Sequence, residues 1–144
     1  MNTRQLTLVL LLATPLFSTA QSAEKTFSKS FNTESKSQVS FELPGAVDLK
    51  IWKNAYIRIE ITVGLASGNT SLLTELANVG RYNLVSNAED DMLVISAPNL
   101  QKQVRIKGEV LKETLSYVVY VPENMKVKLT ETEALTAAVK VNNN

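Results

Sequence analysis

The sequence predicts a mainly β domain carrying one short helix. From residue 39 onward apolar residues recur overwhelmingly at every second position, the period of a strand with one buried face. One stretch, 69–82, changes to the three-and-four spacing of a helix. Pro44, Gly45, Gly80, Pro98, Gly108 and Pro122 punctuate the runs.

Ahead of these elements stands "MNTRQLTLVLLLATPLFSTAQSA", with one basic residue, Arg4, an apolar run from Leu6 to Phe17, and then small residues. That order predicts a secretory signal peptide over residues 1–20, with cleavage after Ala23 as the alternative. A membrane span needs about 20 apolar residues. The mature chain, a single β domain over 24–144, is therefore expected outside the cytoplasm, in the periplasm or at the cell surface, with no transmembrane segment.

Of the 15 basic and 14 acidic residues, the signal segment holds only Arg4, so the mature domain is formally neutral. Such a balance excludes an electrostatic draw to nucleic acid. The chain has no cysteine and no histidine. Disulfides, thiolate chemistry and the usual zinc, copper or iron sites are excluded, and no cofactor is expected. Acid–base chemistry would fall to carboxylates, lysines or tyrosines with shifted pKa values.

The strands follow in order. "VSFEL" puts Val39, Phe41 and Leu43 on one face, "VDLKI" puts Val47, Leu49 and Ile51 there, and "IRIEITV" adds Ile57, Ile59, Ile61 and Val63. Asp48, Lys50, Arg58 and Glu60 then share the solvated face. In "NTSLLTELANVGRY", Leu72, Leu73, Leu76 and Val79 form a helical stripe of about two turns behind Ser71 as N-cap, with Gly80 as the stop. "YNLV" and "MLVIS" predict a hairpin, "QVRIK" a strand, and "LSYVVYV" a strand apolar on both faces and hence the most buried, ended by Pro122. "VDLKIWKNAYIRIEI" and "VKLTETEALTAAVKV" share a faint strand–turn–strand likeness, the look of stacked β layers.

Three groups bear on chemistry. Glu89, Asp90 and Asp91 lie between two apolar runs, where a solvated hairpin turn predicts such residues; as a metal site they are weak candidates, because a calcium loop wants alternating oxygen ligands and a glycine for the bend. Trp52 and Tyr56, in "IWKNAYI", are the candidate binding residues, able to stack on a sugar ring or anchor a partner. The alternative is that the indole caps the end of the core. Lys102, Arg105 and Lys107 alternate with Val104 and Ile106 and fit a solvated strand face.

Taken together, "KTFSKSF", "VSFELPGAVDLKIWKNAYIRIEITV", "GRYNL…MLVISAP" and "VRIKG…ETLSYVVYVP" resemble the exported bacterial adhesin-like families of unknown function, related to autotransporter adhesin heads and GIN-type domains. The resemblance covers residues 25–130 and lies in strand pattern and turn residues. It implies a small β-solenoid or prism-like domain and no catalytic residues. Because "VNNN" closely follows the last clear strand, any repeated C-terminal solenoid is expected to be short or missing. The functional expectation is a non-enzymatic binding or assembly module of the envelope, presenting a rigid β surface to a protein or glycan. Two alternatives are a carboxylate-dependent enzyme on envelope carbohydrate and a purely structural envelope protein.

Overall fold

The computed structural model describes residues 22–129 and 140–141; the predicted signal segment falls outside the described residues. Its strands are β1 (Ala23–Asn32), β2 (Gln38–Glu42), β3 (Ala46–Trp52), β4 (Tyr56–Leu65), β5 (Val85–Glu89), β6 (Met92–Ser96), β7 (Arg105–Ile106), β8 (Glu109–Val110), β9 (Glu113–Pro122), β10 (Lys126–Leu129) and β11 (Lys140–Val141). One helix, α1 (Thr70–Asn78), and a 3-10 turn at Pro98–Gln101 complete the described elements. The fold is mainly β, as the period of two predicted. Among the described residues no helix is long and apolar enough to cross a membrane.

Two open mixed sheets share one hydrophobic cluster. The first has the order β1-β4-β9-β3-β11, the second β10-β2-β6-β5. Ile57, Ile59, Ile61, Val63 and Leu65 of β4 face this core, with Tyr117, Val119 and Val121 of β9. Val39 and Phe41 of β2 and Leu93 and Ile95 of β6 enter it from the second sheet. Burying a side chain of this size contributes about 1.5–3 kcal/mol, so packing can hold a domain that has no cysteine to cross-link.

The chain turns from sheet to sheet between β2 and β3, through Leu43, Pro44 and Gly45. β6 and β10 flank β2 in parallel, while β9 and β11 run parallel to β3. Lys126–Leu129 therefore lies along 38–41 and Lys140–Val141 along 48–49: Val127 pairs with Val39 and Val141 with Leu49. The internal likeness seen in sequence was set against 47–61 instead. That offset arises because period-two patterns match at many registers.

Several other expectations are corrected. Asn69 rather than Ser71 caps α1, its side chain accepting from the Leu72 amide at 2.9 Å. Leu73 and Leu76 are buried as predicted, but Val79 is 78% exposed as the C-cap. β5 starts at Val85; Tyr82 and Leu84 are buried in the connection before it. "QVRIK" yields only the two-residue β7, paired with β8 around Lys107 and Gly108. β9 is central and buried on its inner face, yet Val118 and Tyr120 on its outer face are only half-buried. The same outer-face alternation leaves room for function.

Arg81 is nearly buried. Its guanidinium meets Glu113 at 2.7 Å, with side-chain exposures of 8% and 6%, and donates to the carbonyls of Asn99 and Lys102. The Tyr82 hydroxyl donates to Glu113 at 2.8 Å, and burial, then the Glu113 hydrogen bond, push this phenol's pKa well up. These contacts tie the segment after α1 to the 3-10 turn and the start of β9. The network is closed on itself and structural.

Tyr117 is 1% exposed, and among the described residues its hydroxyl has no hydrogen-bond partner; burial raises its pKa. A buried hydroxyl without a partner carries a desolvation cost. Tyr117→Phe is expected to leave stability unchanged or raise it by about 1 kcal/mol in urea unfolding. A loss of that size would mean that the hydroxyl is satisfied in solution.

Candidate binding face

Trp52 and Tyr56 end β3 and begin β4, yet these strands are not neighbours: β9 lies between them. The connection 53–55 therefore steps across the end of β9, where Pro122 is the register partner of Trp52. Trp52 shares the outward parity of Asp48 and Lys50, so its indole lies on the outer face of the first sheet and is not part of the core cluster. The ring packs edge-on against Tyr56, centroids 4.8 Å apart at 72°, and lies 5.0 Å from Tyr120 at 34°. Its Nε1 donates to the Tyr56 carbonyl at 2.9 Å. That bond fixes the ring and leaves the π surface as what it can offer a ligand.

Tyr120 is the member that sequence reasoning missed. Its place in a doubly apolar run suggested burial, whereas its parity with Lys50 and Arg58 puts it outward: the row across the sheet reads Lys50, Tyr120, Arg58, Ser30. The two-residue offset from Pro122 was the available signal. Among the described residues neither the Tyr56 nor the Tyr120 hydroxyl has a hydrogen-bond partner, so both can donate and accept.

The charges beside the rings are paired by sign. Arg58 meets Glu60 at 2.9 Å and donates to the Ser28 hydroxyl at 3.2 Å. Lys50 lies 4.0 Å from Asp48, with its ammonium 5.6 Å from the Tyr120 ring centre. Exposed pairs of this kind contribute little stability. With Lys53 in the 53–55 connection and Glu123, whose amide donates to the Trp52 carbonyl, they set the chemistry of the surface: three acids, three bases, and no net charge.

Next to the rings, a groove of about 260 Å3 opens at the same end of the molecule. Thr33, Ser35, Ser37 and Asn124 line it with Pro122 and Met125, and Ala55 joins it directly to Tyr56. Lys36, also at the wall, donates to the Asp90 carbonyl at 2.6 Å. A second groove of about 230 Å3 lies between β1 and the segment before β5, where Phe27 stacks on Tyr82 and Lys29 donates to the Leu84 carbonyl.

Asp90 and Asp91 form the two-residue connection of the β5–β6 hairpin, and Glu89 ends β5. Asp90 adopts φ 47°, the left-handed conformation that Asp tolerates in such turns. Asp91 accepts from the Ser37 hydroxyl and amide, which pins the hairpin to the β1–β2 connection. Among the described residues no group of three or more carboxylates converges on a point where a metal ion could sit.

The Ser37 hydroxyl, then the Ser37 amide, hold the Asp91 carboxyl below its usual range. A carboxyl with a lowered folded-state pKa stabilises above its unfolded pKa, and the stabilisation is lost as pH falls through the folded value. The Ser37 amide resonance is therefore expected to titrate with a midpoint below that of an ordinary aspartate, and Asp91→Ala to abolish that titration.

The sequence matches no protein-family model, and a search of characterised proteins returns no match. Two solved structures are similar. One is described as a "putative cell adhesion protein" from Clostridium sporogenes, at 12% identity and a TM-score of 0.41, over 74% of this chain and 46% of that one. The other is described as a "putative adhesin" from Parabacteroides distasonis, at 15% identity and a TM-score of 0.36, over 73% of this chain and 34% of that one. This chain spans less than half the length of either protein.

Proposed function

We propose that the chain is an exported, non-enzymatic binding module of the bacterial envelope, adhesin-like in action, whose contact surface is the outer face of the first sheet around Trp52, Tyr56 and Tyr120. The observation that carries this reading is the cluster itself: three aromatic side chains gathered outside the core on paired strands, one with its polar edge locked. Rigid aromatic anchors on strands lose little entropy when a partner docks. The parallel stacking of β10 on β2 and β11 on β3 is read as a short solenoid-like end to the domain. An envelope carbohydrate-cleaving enzyme would want two carboxylates facing across a cleft; among the described residues none that is acidic lines the groove beside the rings.

The test is binding of the labelled, processed protein to intact bacterial cells and isolated envelopes. Saturable binding is expected, lost in a Trp52→Ala/Tyr120→Ala double variant and kept in Val110→Ser, a change on the small β7–β8 hairpin remote in the strand pairing. Absence of saturable binding, or binding indifferent to the aromatic pair, would contradict the reading.

A further inference from the structure

We infer that the aromatic face and the adjoining groove form one continuous site for an uncharged oligosaccharide, with one ring stacked on the aromatics and the next in the groove. The inference rests on the binding-module reading and specifies its ligand.

Three features select this chemistry. First, the indole N–H is taken by the Tyr56 carbonyl, so the half-exposed Trp52 ring, packed with Tyr56 and Tyr120, adds aromatic carbon to the surface without a free donor. The C–H face of a pyranose suits such a surface. A peptide anchor would instead call for a pocket that encloses a side chain, and these rings lie on an open sheet face.

Second, hydrogen-bonding groups surround the rings while net charge does not. The Tyr56 and Tyr120 hydroxyls have no partner among the described residues. The Arg58–Glu60 and Lys50–Asp48 pairs put donors and acceptors side by side, the pattern that vicinal hydroxyls can bridge. A polyanionic glycan would want an excess of cations, and beside the rings the three acids match the three bases.

Third, the surface does not stop at the rings. Ala55 precedes Tyr56 and Pro122 pairs with Trp52, and both belong to the groove wall. Beyond them Thr33, Ser35 and Asn124 contribute two hydroxyls and an amide. At about 260 Å3 the groove falls just below the usual range for drug-sized ligands. It suits a single sugar ring continuing from the aromatic position.

The test pairs native envelopes with defined glycans, using the full processed chain and variants whose melting matches the wild type. Envelopes are treated with periodate, which cleaves vicinal diols, or with protease. In parallel, immobilised neutral hexose and N-acetylhexosamine oligomers are compared with uronic acid and sulfated oligomers. Periodate-sensitive, protease-resistant binding and a preference for neutral oligomers are expected. Trp52→Ala is expected to weaken binding by about tenfold or more. Asn124→Ala should weaken binding of oligomers while leaving a single sugar ring unaffected.

Protease-sensitive but periodate-resistant binding would overturn the glycan inference and leave the binding-module reading standing. Preference for acidic oligomers would overturn the claim of an uncharged ligand. No saturable binding to any envelope would remove both.

Discussion

Glu113→Ala is expected to lower stability by about 3–5 kcal/mol, because it leaves the Arg81 guanidinium buried without its counter-charge. The two side chains are 8% and 6% exposed, and Glu113 also accepts from Tyr82. The remaining Arg81 bonds, to the carbonyls of Asn99 and Lys102, orient the guanidinium without neutralising it. In a domain of this size the melting temperature should fall by about 10 °C or more. The double replacement Arg81→Met/Glu113→Leu is expected to recover most of that loss, since burying an ion pair has its own desolvation cost. Calorimetry on the three proteins checks both statements. A loss below about 1 kcal/mol in Glu113→Ala would mean that the pair is hydrated in solution.

Gly45→Ala is expected to disrupt the corner that carries the chain from one sheet to the other. Gly45 has φ +126°, and a Cβ there would lie 2.6 Å from the Leu115 carbonyl oxygen and 3.1 Å from its Cβ. Neither neighbour is the free end of a flexible side chain, so β9 or the β2–β3 corner must move. The backbone conformation and the collision together are expected to cost about 2–4 kcal/mol. Gly108 is the internal control: its φ is +84°, but a Cβ would meet nothing within 4 Å. Gly108→Ala should therefore show only the left-handed backbone cost, about 1–2 kcal/mol. Equal losses at the two positions in urea unfolding would contradict the steric account.

Strand existence was legible wherever one face is buried and the other wet, because burial forces alternation: Val47, Leu49, Ile57, Ile59 and Ile61 lie inward as predicted, whereas Ile51, expected with them, is 44% exposed near the end of β3. Strand neighbours were not legible. Nothing local says that β9 separates β3 from β4, and that separation places Tyr120 beside Trp52. The helix was visible in its leucines, but Asn69 and Ser71 are both good caps and the local pattern does not choose between them. The turn at Asp90 and Asp91 was readable from composition, whereas its anchor to Ser37 depends on tertiary contact across 54 residues. Likewise the Arg81–Glu113 pair joins residues 32 apart in sequence, and neither has a neighbouring signal of burial.

The candidate site was half legible. Trp52 and Tyr56 stood out as aromatics flanking a turn, with a sugar ring or a protein anchor as the two possible uses. Their outward placement follows from parity with Lys50 and Arg58. The third ring and the groove of Thr33, Ser35 and Asn124 come from three separate connections meeting at one end of the molecule. Period-two reasoning fixes faces and cannot assemble loops.

Trp52 is the chain's single tryptophan, so its fluorescence reports on the central claim without labelling. The most direct measurement is titration of the processed protein with solubilised envelope glycans while following Trp52 emission and its quenching by acrylamide. A saturable emission shift with protection from acrylamide is expected, at the same midpoint as binding measured by calorimetry. Calorimetric binding with unchanged Trp52 emission and accessibility would place the contact surface elsewhere on the domain.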